Sequence, residues 1–197
     1  MALNILQVGE PVLRQRARAL TPDEIRGAEI QELIDHMRET MREAPGVGLA
    51  APQIGLPLQL AVIEDSAERL RELSPEKLAE QERQPVPFHV IVNPALTLGD
   101  ETVEHFEGCL SLSSFGAIVP RARRVVVECL NQRADPIRIE AAGWYARILQ
   151  HEIDHLRGGL YIDRMHPRSF MSLENHQRYW KDLPPALVLD ALGLNVR

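Results

Sequence analysis

Apolar residues recur every three or four positions near the start of the chain, between Glu29 and Ala44. This spacing places them on one face of a helix, with charged residues on the opposite face. Pro45 and Gly46 follow directly, and such a pair is a helix stop signal. The pattern therefore predicts an amphipathic helix over residues 29–44. Its buried face is predicted to carry Ile30, Leu33, Ile34, Met37 and Met41.

Several later stretches are rich in β-branched and apolar residues and are bounded by proline or turn residues, which predicts short strands. These stretches are 58–64, 88–93, 117–120, 124–130 and 136–140. Between the first two, residues 65–87 are charged and contain Ser74 followed by Pro75, a typical N-cap and first helical residue. We predict a surface excursion with a short helix there.

Helical spacing returns at Ala141 and runs through GWYARILQHEIDHLRGG, where Gly158 and Gly159 supply the stop signal. Strands grouped before one long helix, rather than alternating with helices, indicate an α+β fold. We expect short antiparallel or mixed β-sheets packed around this central helix. One domain is predicted over 1–197, with a core of about 8–163 and a C-terminal tail over 164–197.

With 197 residues, 45% of them hydrophobic and 25% charged, the composition is that of an ordinary globular protein. The formal net charge of −6 gives no broad positive field for nucleic acid or an anionic membrane, so no DNA partner is expected. The longest apolar tract, 47–63, is interrupted by prolines and glutamines, and no membrane span is expected. The opening residues lack the pattern of a signal peptide, and two cysteines suit a reducing compartment. A cytoplasmic location is expected.

The second helix contains HEIDH, from His151 to His155, which matches H-E-x-x-H. Residues four apart on a helix lie on the same side, so both imidazoles can bind one metal ion. Glu152 is rotated by about 100° from His151, where it can reach a water in an open metal position but is poorly placed as a ligand. A chance match on a solvated helix face is the alternative at this point.

Residue spacing alone leaves the third ligand open. The extended protease motif H-E-x-x-H-x-x-G-x-x-H requires a histidine where this chain has Tyr161, which excludes that class. Glu174 is one candidate, and Cys109 in EGCLSL is another, because a thiolate is a strong ligand for a borderline metal. The alternative for a lone cysteine is a small buried hydrophobe, which we expect of Cys129. The other histidines are expected to be solvated or hydrogen-bonded: His36, His89, His105, His166 and His176.

The segment GVGLAAPQIG, residues 46–55, contains G-x-G-x-x-A, one form of the loop that binds the pyrophosphate of a dinucleotide. That motif needs a strand before it and an uninterrupted helix after it. Here a predicted helix precedes the loop, and Pro52 stands where the following helix would form. We therefore expect no nucleotide site in this segment.

Three segments resemble the signature motifs of the peptide deformylase family: GVGLAAPQ (46–53), EGCLS (107–111) and QHEIDHLRG (150–158). They stand in the family's order, and the similarity covers most of residues 8–163. Three independent motifs in order are stronger evidence than any one of them. The flanking sequence GWYARILQHEIDHL is most similar to the branch that includes the organellar enzymes.

The resemblance implies a hydrolase that removes the N-formyl group from the formylmethionine of new polypeptides and releases formate. It makes Cys109, His151 and His155 the ligands of one metal ion, usually Fe²⁺ and replaceable by Ni²⁺, Co²⁺ or Zn²⁺, with water in the fourth position. That water attacks the formyl carbon, with Glu152 as general base and then general acid. The side-chain amide of Gln53 and the backbone N–H of Leu110 are expected to stabilise the oxyanion.

The resemblance also places the N-formylmethionyl peptide beside Gly46, Val47 and Gly48, like an added strand. The glycines are expected to let the backbone approach the substrate closely. Trp144 and Ile148 share a helix face with His151. With Val47 they are expected to form a methionine pocket, and ordinary core packing is the alternative for each of them.

Two features concern the loop around Cys109. The family pattern suggests that an ion pair between Glu107 and Arg121 braces this loop, and a weak surface pair is the alternative. Many family members carry an arginine where this chain has Gly116, at the end of LSSFG (112–116). If that arginine holds the substrate main chain, its absence changes affinity and preferred peptide length but not the metal chemistry.

Two other classes of function stay open on the sequence. One is an H-E-x-x-H metallopeptidase or a deformylase-like amidase with another acyl substrate. The other is a non-catalytic metal-stabilised binding protein, which the presence of Gln53 and Glu152 disfavours, since structural zinc sites close all four positions with protein ligands. The ribosome surface is a further candidate partner through exposed arginines, although a solvated face is the favoured interpretation. These arginines are Arg14, Arg16, Arg18, Arg121, Arg123 and Arg124.

Overall fold

A computed structural model describes residues 3–194 of the chain. Its α-helices are α1 (Pro22–Arg26), α2 (Ala28–Glu43), α3 (Ala67–Leu70), α4 (Pro75–Glu80), α5 (Gly143–Leu156), α6 (Leu173–Asn175) and α7 (Pro185–Ala191). Its strands are β1 (Gly48–Ala50), β2 (Leu60–Asp65), β3 (Val86–Leu98), β4 (Thr102–Cys109), β5 (Leu112–Ala122), β6 (Arg124–Leu130), β7 (Pro136–Ala142) and β8 (Met171–Ser172). Short 3₁₀ turns lie at Pro11–Arg14, Ala51–Ile54, Tyr161–Asp163 and Pro167–Ser169, and a π-helical turn at His176–Trp180.

The strands form two antiparallel sheets. One has the order β1-β2-β3-β6-β7 and the other the order β4-β5-β8. Helix α5 contacts strands of both sheets and therefore lies at the centre of the fold. This arrangement confirms the predicted α+β class with a central helix. Among residues 3–194, no helix combines the length and the hydropathy needed to cross a bilayer.

The five-stranded sheet is covered on both faces, which explains why the first four residues of β2, 60–63, are all apolar. Ala61 and Ile63 pack on the α5 side, in one cluster with Leu149 and Ile153. Leu60 and Val62 point the other way, into a cluster with the apolar face of α2. Successive residues of a strand face opposite sides of the sheet, so a strand buried on both faces loses the alternation of a half-exposed one.

Several predicted elements are confirmed. Helix α2 ends at Glu43, one residue before the predicted end, and β6 spans the predicted residues 124–130. The excursion after β2 contains α3 and α4, and the Ser74 side chain caps α4 by accepting a hydrogen bond from the backbone N–H of Lys77.

Strand β3 is longer than predicted because it continues through Pro94. The register shifts between Val92 and Ala95, which marks a bulge, and proline is tolerated in strands at such positions. Asn93 adopts a positive φ of 52° there. Its side chain accepts from the Leu20 N–H at 2.9 Å and donates to the Leu20 carbonyl at 2.8 Å. A contact with a distant segment therefore stabilises the bulge.

The segment after residue 163 folds back onto the three-stranded sheet. Strand β8 pairs with β5, and Val188 and Leu189 of α7 pack with Ile118 in a buried cluster. Phe106 of β4 stacks on His176, with ring centroids 3.7 Å apart. The ends of the predicted domain, residues 1–2 and 195–197, lie outside the described residues.

Gly116 is expected to be required for stability. A Cβ at this position would lie 2.5 Å from Cε1 of Phe106 and 2.6 Å from the Glu107 carbonyl oxygen. Because the backbone oxygen cannot move away cheaply, we expect Gly116→Ala to lower the free energy of unfolding by about 1–3 kcal/mol. Urea denaturation of the metal-loaded protein measures this change.

Gly108 is the matched control, since it stands opposite Gly116 in the β4–β5 pair. A Cβ on Gly108 meets only the Phe115 carbonyl oxygen, at an ordinary 3.6 Å. Equal shifts of the unfolding midpoint in Gly108→Ala and Gly116→Ala would contradict the steric argument.

Candidate metal centre and active site

Helix α5 and the end of β4 bring three metal-ligating side chains together. Cys109, His151 and His155 have ligand atoms that all lie within 4.8 Å of one another. The Sγ atom of Cys109 is 3.3 Å from Nε2 of His155. The two histidines are one helical turn apart, as the H-E-x-x-H spacing requires. Glu174, the other candidate third ligand, is exposed in α6 and is not part of this group.

The Cys109 thiol is presented by a tight hairpin. Strands β4 and β5 pair up to Cys109 and Leu112, and Leu110 and Ser111 make the two-residue turn between them. The Ser111 backbone N–H lies 3.4 Å from Sγ of Cys109, within hydrogen-bond distance. The turn therefore holds the Ser111 N–H beside the Cys109 thiol.

The donor set fits a divalent transition metal. One thiolate and two imidazoles suit zinc, ferrous iron and similar ions, and three protein ligands leave one position open. Nδ1 of His151 is 3.1 Å from Oε2 of Glu107, so Nε2 is the nitrogen left for a metal. A carboxylate behind a histidine ligand is the usual device that fixes the tautomer and the ring orientation.

Glu107 is the centre of a buried ion network behind His151. Its carboxylate accepts two hydrogen bonds from Arg121, at 2.9 and 3.0 Å, and one from Arg147 at 2.5 Å. All three side chains are at most 5% exposed. Burial alone would raise the pKa of Glu107, but Arg121 and the hydrogen bond with His151 outweigh it and lower the pKa below its ordinary range. Glu107 therefore stays ionised, and the weak surface pair is excluded.

A second carboxylate extends this network. Asp154 of α5 accepts hydrogen bonds from both Arg121 and Arg164. Neither Asp154 nor Arg147 was predicted from the sequence as part of the site. Arg147 stands four residues before His151 on the same helix face, so the helical spacing could have indicated that Arg147 lies near the site. Arg121, by contrast, is 3% exposed, which removes it from the arginines available to a ribosome.

Glu152 lies on α5, next to the ligand His151. It is 3% exposed, and burial raises its pKa to about 7. Within the described part of the chain, no hydrogen-bond partner reaches its Oε2 atom. A Cβ on Gly48 would lie 2.2 Å from Oε1 of Glu152, so the carboxylate occupies the space that any other residue at position 48 would fill. The GVG segment thus makes room for an acidic side chain.

We expect Gly48→Ala to lower kcat by about 100-fold, because the added methyl group displaces the Glu152 carboxylate by roughly 1 Å. Metal content should not change, since the nearest atoms to the added Cβ all belong to Glu152 and none belongs to the three ligands. Steady-state kinetics and elemental analysis of the same sample measure both quantities. A Gly48→Ala protein with full kcat would contradict the assigned role of Gly48.

Gln53 is fixed next to Cys109 by its own hydrogen bonds. Its Oε1 accepts from the Ala50 backbone N–H at 2.9 Å. Its Nε2 lies 3.2 Å from Oγ of Ser111 and 3.7 Å from Sγ of Cys109. The amide is 1% exposed and its orientation is set, so its N–H group faces the metal centre without reorganisation.

A cavity of about 470 Å³ opens beside the metal centre. It brings together the residues predicted for catalysis and for substrate binding. Its lining includes Gly46, Val47, Gly48, Gln53, Cys109, Leu110, Trp144, Ile148, His151 and Glu152. The sequence analysis missed a second set of lining residues: Arg69, Arg83, Phe106, Phe115, Arg147 and Leu173. Three of these, Arg69, Arg83 and Leu173, come from segments far from the three motifs.

Two of the histidines outside the ligand set are hydrogen-bonded, as predicted. His166 contacts Glu104 at 2.7 Å, and His89 contacts the Tyr145 hydroxyl at 2.9 Å. His105 differs, because it packs edge-on against Trp144, and among residues 3–194 no partner reaches its buried Nδ1. Burial and the charge of Arg147 lower the pKa of His105 to about 4. Cys129 is a buried hydrophobe, as expected.

The fold and this site together define a class of enzyme. A buried helix carries two histidine ligands and an ionisable glutamate, a hairpin adds a thiol, and a cavity reaches the open side of the centre. This is the arrangement of a metal-dependent hydrolase that uses a glutamate for proton transfer.

Comparison with known proteins gives the family. A family model described as polypeptide deformylase matches residues 2–170. Peptide deformylase 1A of Solanum lycopersicum, a chloroplastic protein, is 44% identical over 192 residues, which cover 97% of this chain and 68% of the relative. Peptide deformylase 1 of Bifidobacterium longum is 45% identical over 193 residues, which cover 97% of this chain and 86% of the relative.

A solved structure agrees with these matches. The Met-Ala-Ser-bound crystal structure of a class I type b peptide deformylase from Acinetobacter baumannii has a TM-score of 0.74 and 29% sequence identity. It covers 84% of this chain and 99% of that chain. The chain belongs to the polypeptide deformylase family. This result confirms a metal-dependent deformylase over a metallopeptidase or an amidase for another acyl group, and it also rules out a non-catalytic protein.

Proposed function

We propose that Glu152, Gln53 and Leu110 act together on an N-formylmethionyl peptide, with one Fe²⁺ ion held by Cys109, His151 and His155. The observation that carries this proposal is the position of the buried Glu152 carboxylate, beside the three ligands and in the wall of an open cavity. A proton acceptor at the open side of a metal site is what amide hydrolysis requires.

A bound divalent metal would supply an activated water and polarise the formyl oxygen. The protein supplies proton transfer: the Glu152 carboxylate takes a proton from the attacking water and returns it to the leaving amine. Its raised pKa, about 7, suits both steps, because it can accept and release a proton near neutral pH. The Gln53 amide and the Leu110 backbone N–H are the groups that we expect to donate to the developing oxyanion.

The substrate is held by two walls of the cavity. On one side, Gly46, Val47 and Gly48 offer main chain for pairing with an extended peptide. On the other side, Trp144 and Ile148 present apolar surface for the methionine side chain. Two guanidinium groups pack on the Trp144 ring and hold it in place. Cζ of Arg83 is 4.9 Å from the ring centroid, and Cζ of Arg147 is 6.0 Å from it. Main-chain pairing suits an enzyme that accepts varied sequences after the methionine.

Ferrous iron is the proposed native ion, and Ni²⁺, Co²⁺ or Zn²⁺ are expected to replace it in purified protein. A single thiolate with two imidazoles accepts all four ions, since selectivity among such metals depends on supply as well as affinity. Elemental analysis of protein purified without oxygen identifies the ion present.

Formate release tests the proposed function. The iron-loaded protein is incubated with formyl-Met-Ala-Ser, acetyl-Met-Ala-Ser and free Met-Ala-Ser. We expect formate from the formylated peptide and no new amine from the other two. Cleavage of the peptide bonds in free Met-Ala-Ser, or release of acetate, would overturn the proposal and assign a peptidase or a broader amidase.

We further propose that the enzyme works in the cytoplasm on chains that emerge from the ribosome. The support is chemical: a thiol ligand needs a reducing compartment, and formylated chains are made at ribosomes. Of the arginines considered for ribosome contact, Arg123 is already paired with Glu82 and Glu101. Co-sedimentation with ribosomes at low and high salt tests the contact, and cell fractionation tests the compartment.

A further inference from the structure

The outer end of the cavity has an apolar wall that the proposed mechanism does not use. Phe115 and Leu173 line the cavity, and they are 42% and 43% exposed. Phe170, 40% exposed, stacks on Phe115 with ring centroids 5.2 Å apart and planes within 9°. Large apolar side chains this exposed at the rim of a site indicate a surface that another molecule covers.

The wall is held rigidly. Phe115 pairs with Ser172 across β5 and β8, and the Ser172 side chain caps α6 by accepting from the Asn175 N–H. Next to Phe170, the buried Ser169 hydroxyl accepts from the Ile118 N–H at 2.8 Å. A preorganised apolar surface loses little side-chain entropy when a ligand covers it.

The residues that line this end of the cavity are uncharged. Gly116 stands where the family pattern has an arginine, and a side chain there would collide with the Phe106 ring. Phe106 is itself held by its stack on His176. The lining residues at this rim are Ser113, Ser114, Phe115 and Leu173, whereas the arginines Arg69 and Arg83 lie in other segments of the lining.

We propose that Phe115, Phe170 and Leu173 form a further substrate subsite, which takes an apolar side chain from one of the two residues that follow the formylmethionine. The occupant is the substrate itself, because this wall is continuous with the cavity that holds the metal centre. The inference rests on the proposed deformylase function. Leu173 lies beyond residue 170, where the family-model match ends, so this part of the wall lies outside the matched segment.

Peptide pairs that differ at one position test the subsite. The iron-loaded protein is assayed with formyl-Met-Ala-Ser, formyl-Met-Leu-Ser, formyl-Met-Ala-Leu and formyl-Met-Asp-Ser. We expect a KM that is about 5- to 10-fold lower for one of the leucine peptides than for formyl-Met-Ala-Ser, since burying a few methylene groups has an effect of this size. The aspartate peptide should have the highest KM.

Variants locate the effect. In Leu173→Ser and in Phe170→Ala, the ratio of the KM values for the alanine and leucine peptides should fall toward 1. Leu187→Ser is the control, because Leu187 is also exposed, on α7, but does not line the cavity. That variant should keep the ratio of the unmodified protein.

The outcomes separate the two proposals. Formate from all peptides with equal KM values, or a KM ratio that Leu173→Ser and Phe170→Ala leave unchanged, would overturn the subsite and leave the deformylase function intact. Absence of formate from every peptide would overturn the function and the subsite with it.

Discussion

Glu152→Gln should lower kcat by about 1,000-fold while the protein keeps its metal. Glutamine has nearly the same shape as glutamate but cannot accept a proton, and proton transfer by a positioned group contributes about 10²- to 10⁴-fold to such reactions. The ligands Cys109, His151 and His155 are untouched by this change. Steady-state formate release and elemental analysis on one preparation measure both effects.

Glu128→Gln is the matched control, because Glu128 is exposed on β6 and does not line the cavity. It should keep full kcat. A Glu152→Gln protein that keeps its metal and turns over at the rate of the control would show that the proton acceptor is another group. Loss of metal in Glu152→Gln would show that Glu152 is a ligand, contrary to the structure.

Glu107→Ala should destabilise the protein by about 3–5 kcal/mol. Removing Glu107 leaves the buried Arg147 with no carboxylate partner and Arg121 with Asp154 alone, and a buried charge without its partner is far more costly than the loss of a surface pair. Here Arg121 and Arg147 would lose their shared carboxylate at the centre of the protein. His151 would lose the partner of its Nδ1 atom, and a metal affinity 10- to 100-fold weaker is expected.

Urea unfolding of the metal-loaded protein measures the first effect, and competition with a chelator measures the second. Glu101→Ala is the control, since Glu101 pairs with Arg123 in an exposed position and should shift the unfolding midpoint far less. Equal shifts in the two variants would mean that the buried network contributes no more than a surface pair.

The sequence was sufficient to predict the parts of the site that local spacing determines. His151 and His155 are four residues apart on one helix, so their common direction follows from helical geometry alone. Helix α2 and strand β6 were also predicted closely, because their apolar patterns end at clear stop signals. The choice of Cys109 as the third ligand required the family resemblance, since residue spacing left Glu174 as an alternative.

Contacts between distant segments account for what the sequence analysis missed. Strand β3 continues past Pro94 because Asn93 bonds to Leu20, more than 70 residues earlier. Leu173 joins the cavity only because β8 pairs with β5. Neither contact leaves a periodic pattern in the sequence. The predicted boundary at residue 163 therefore placed part of the cavity wall in the tail.

X-ray absorption at the metal edge of the iron-loaded protein tests the central claim most directly. If Cys109, His151 and His155 hold the ion, the spectrum should show one sulfur and two imidazole nitrogens, and the sulfur signal should disappear in Cys109→Ser. A spectrum without sulfur in the unmodified protein, or one unchanged in Cys109→Ser, would contradict this ligand set and with it the placement of Glu152 at the reaction centre.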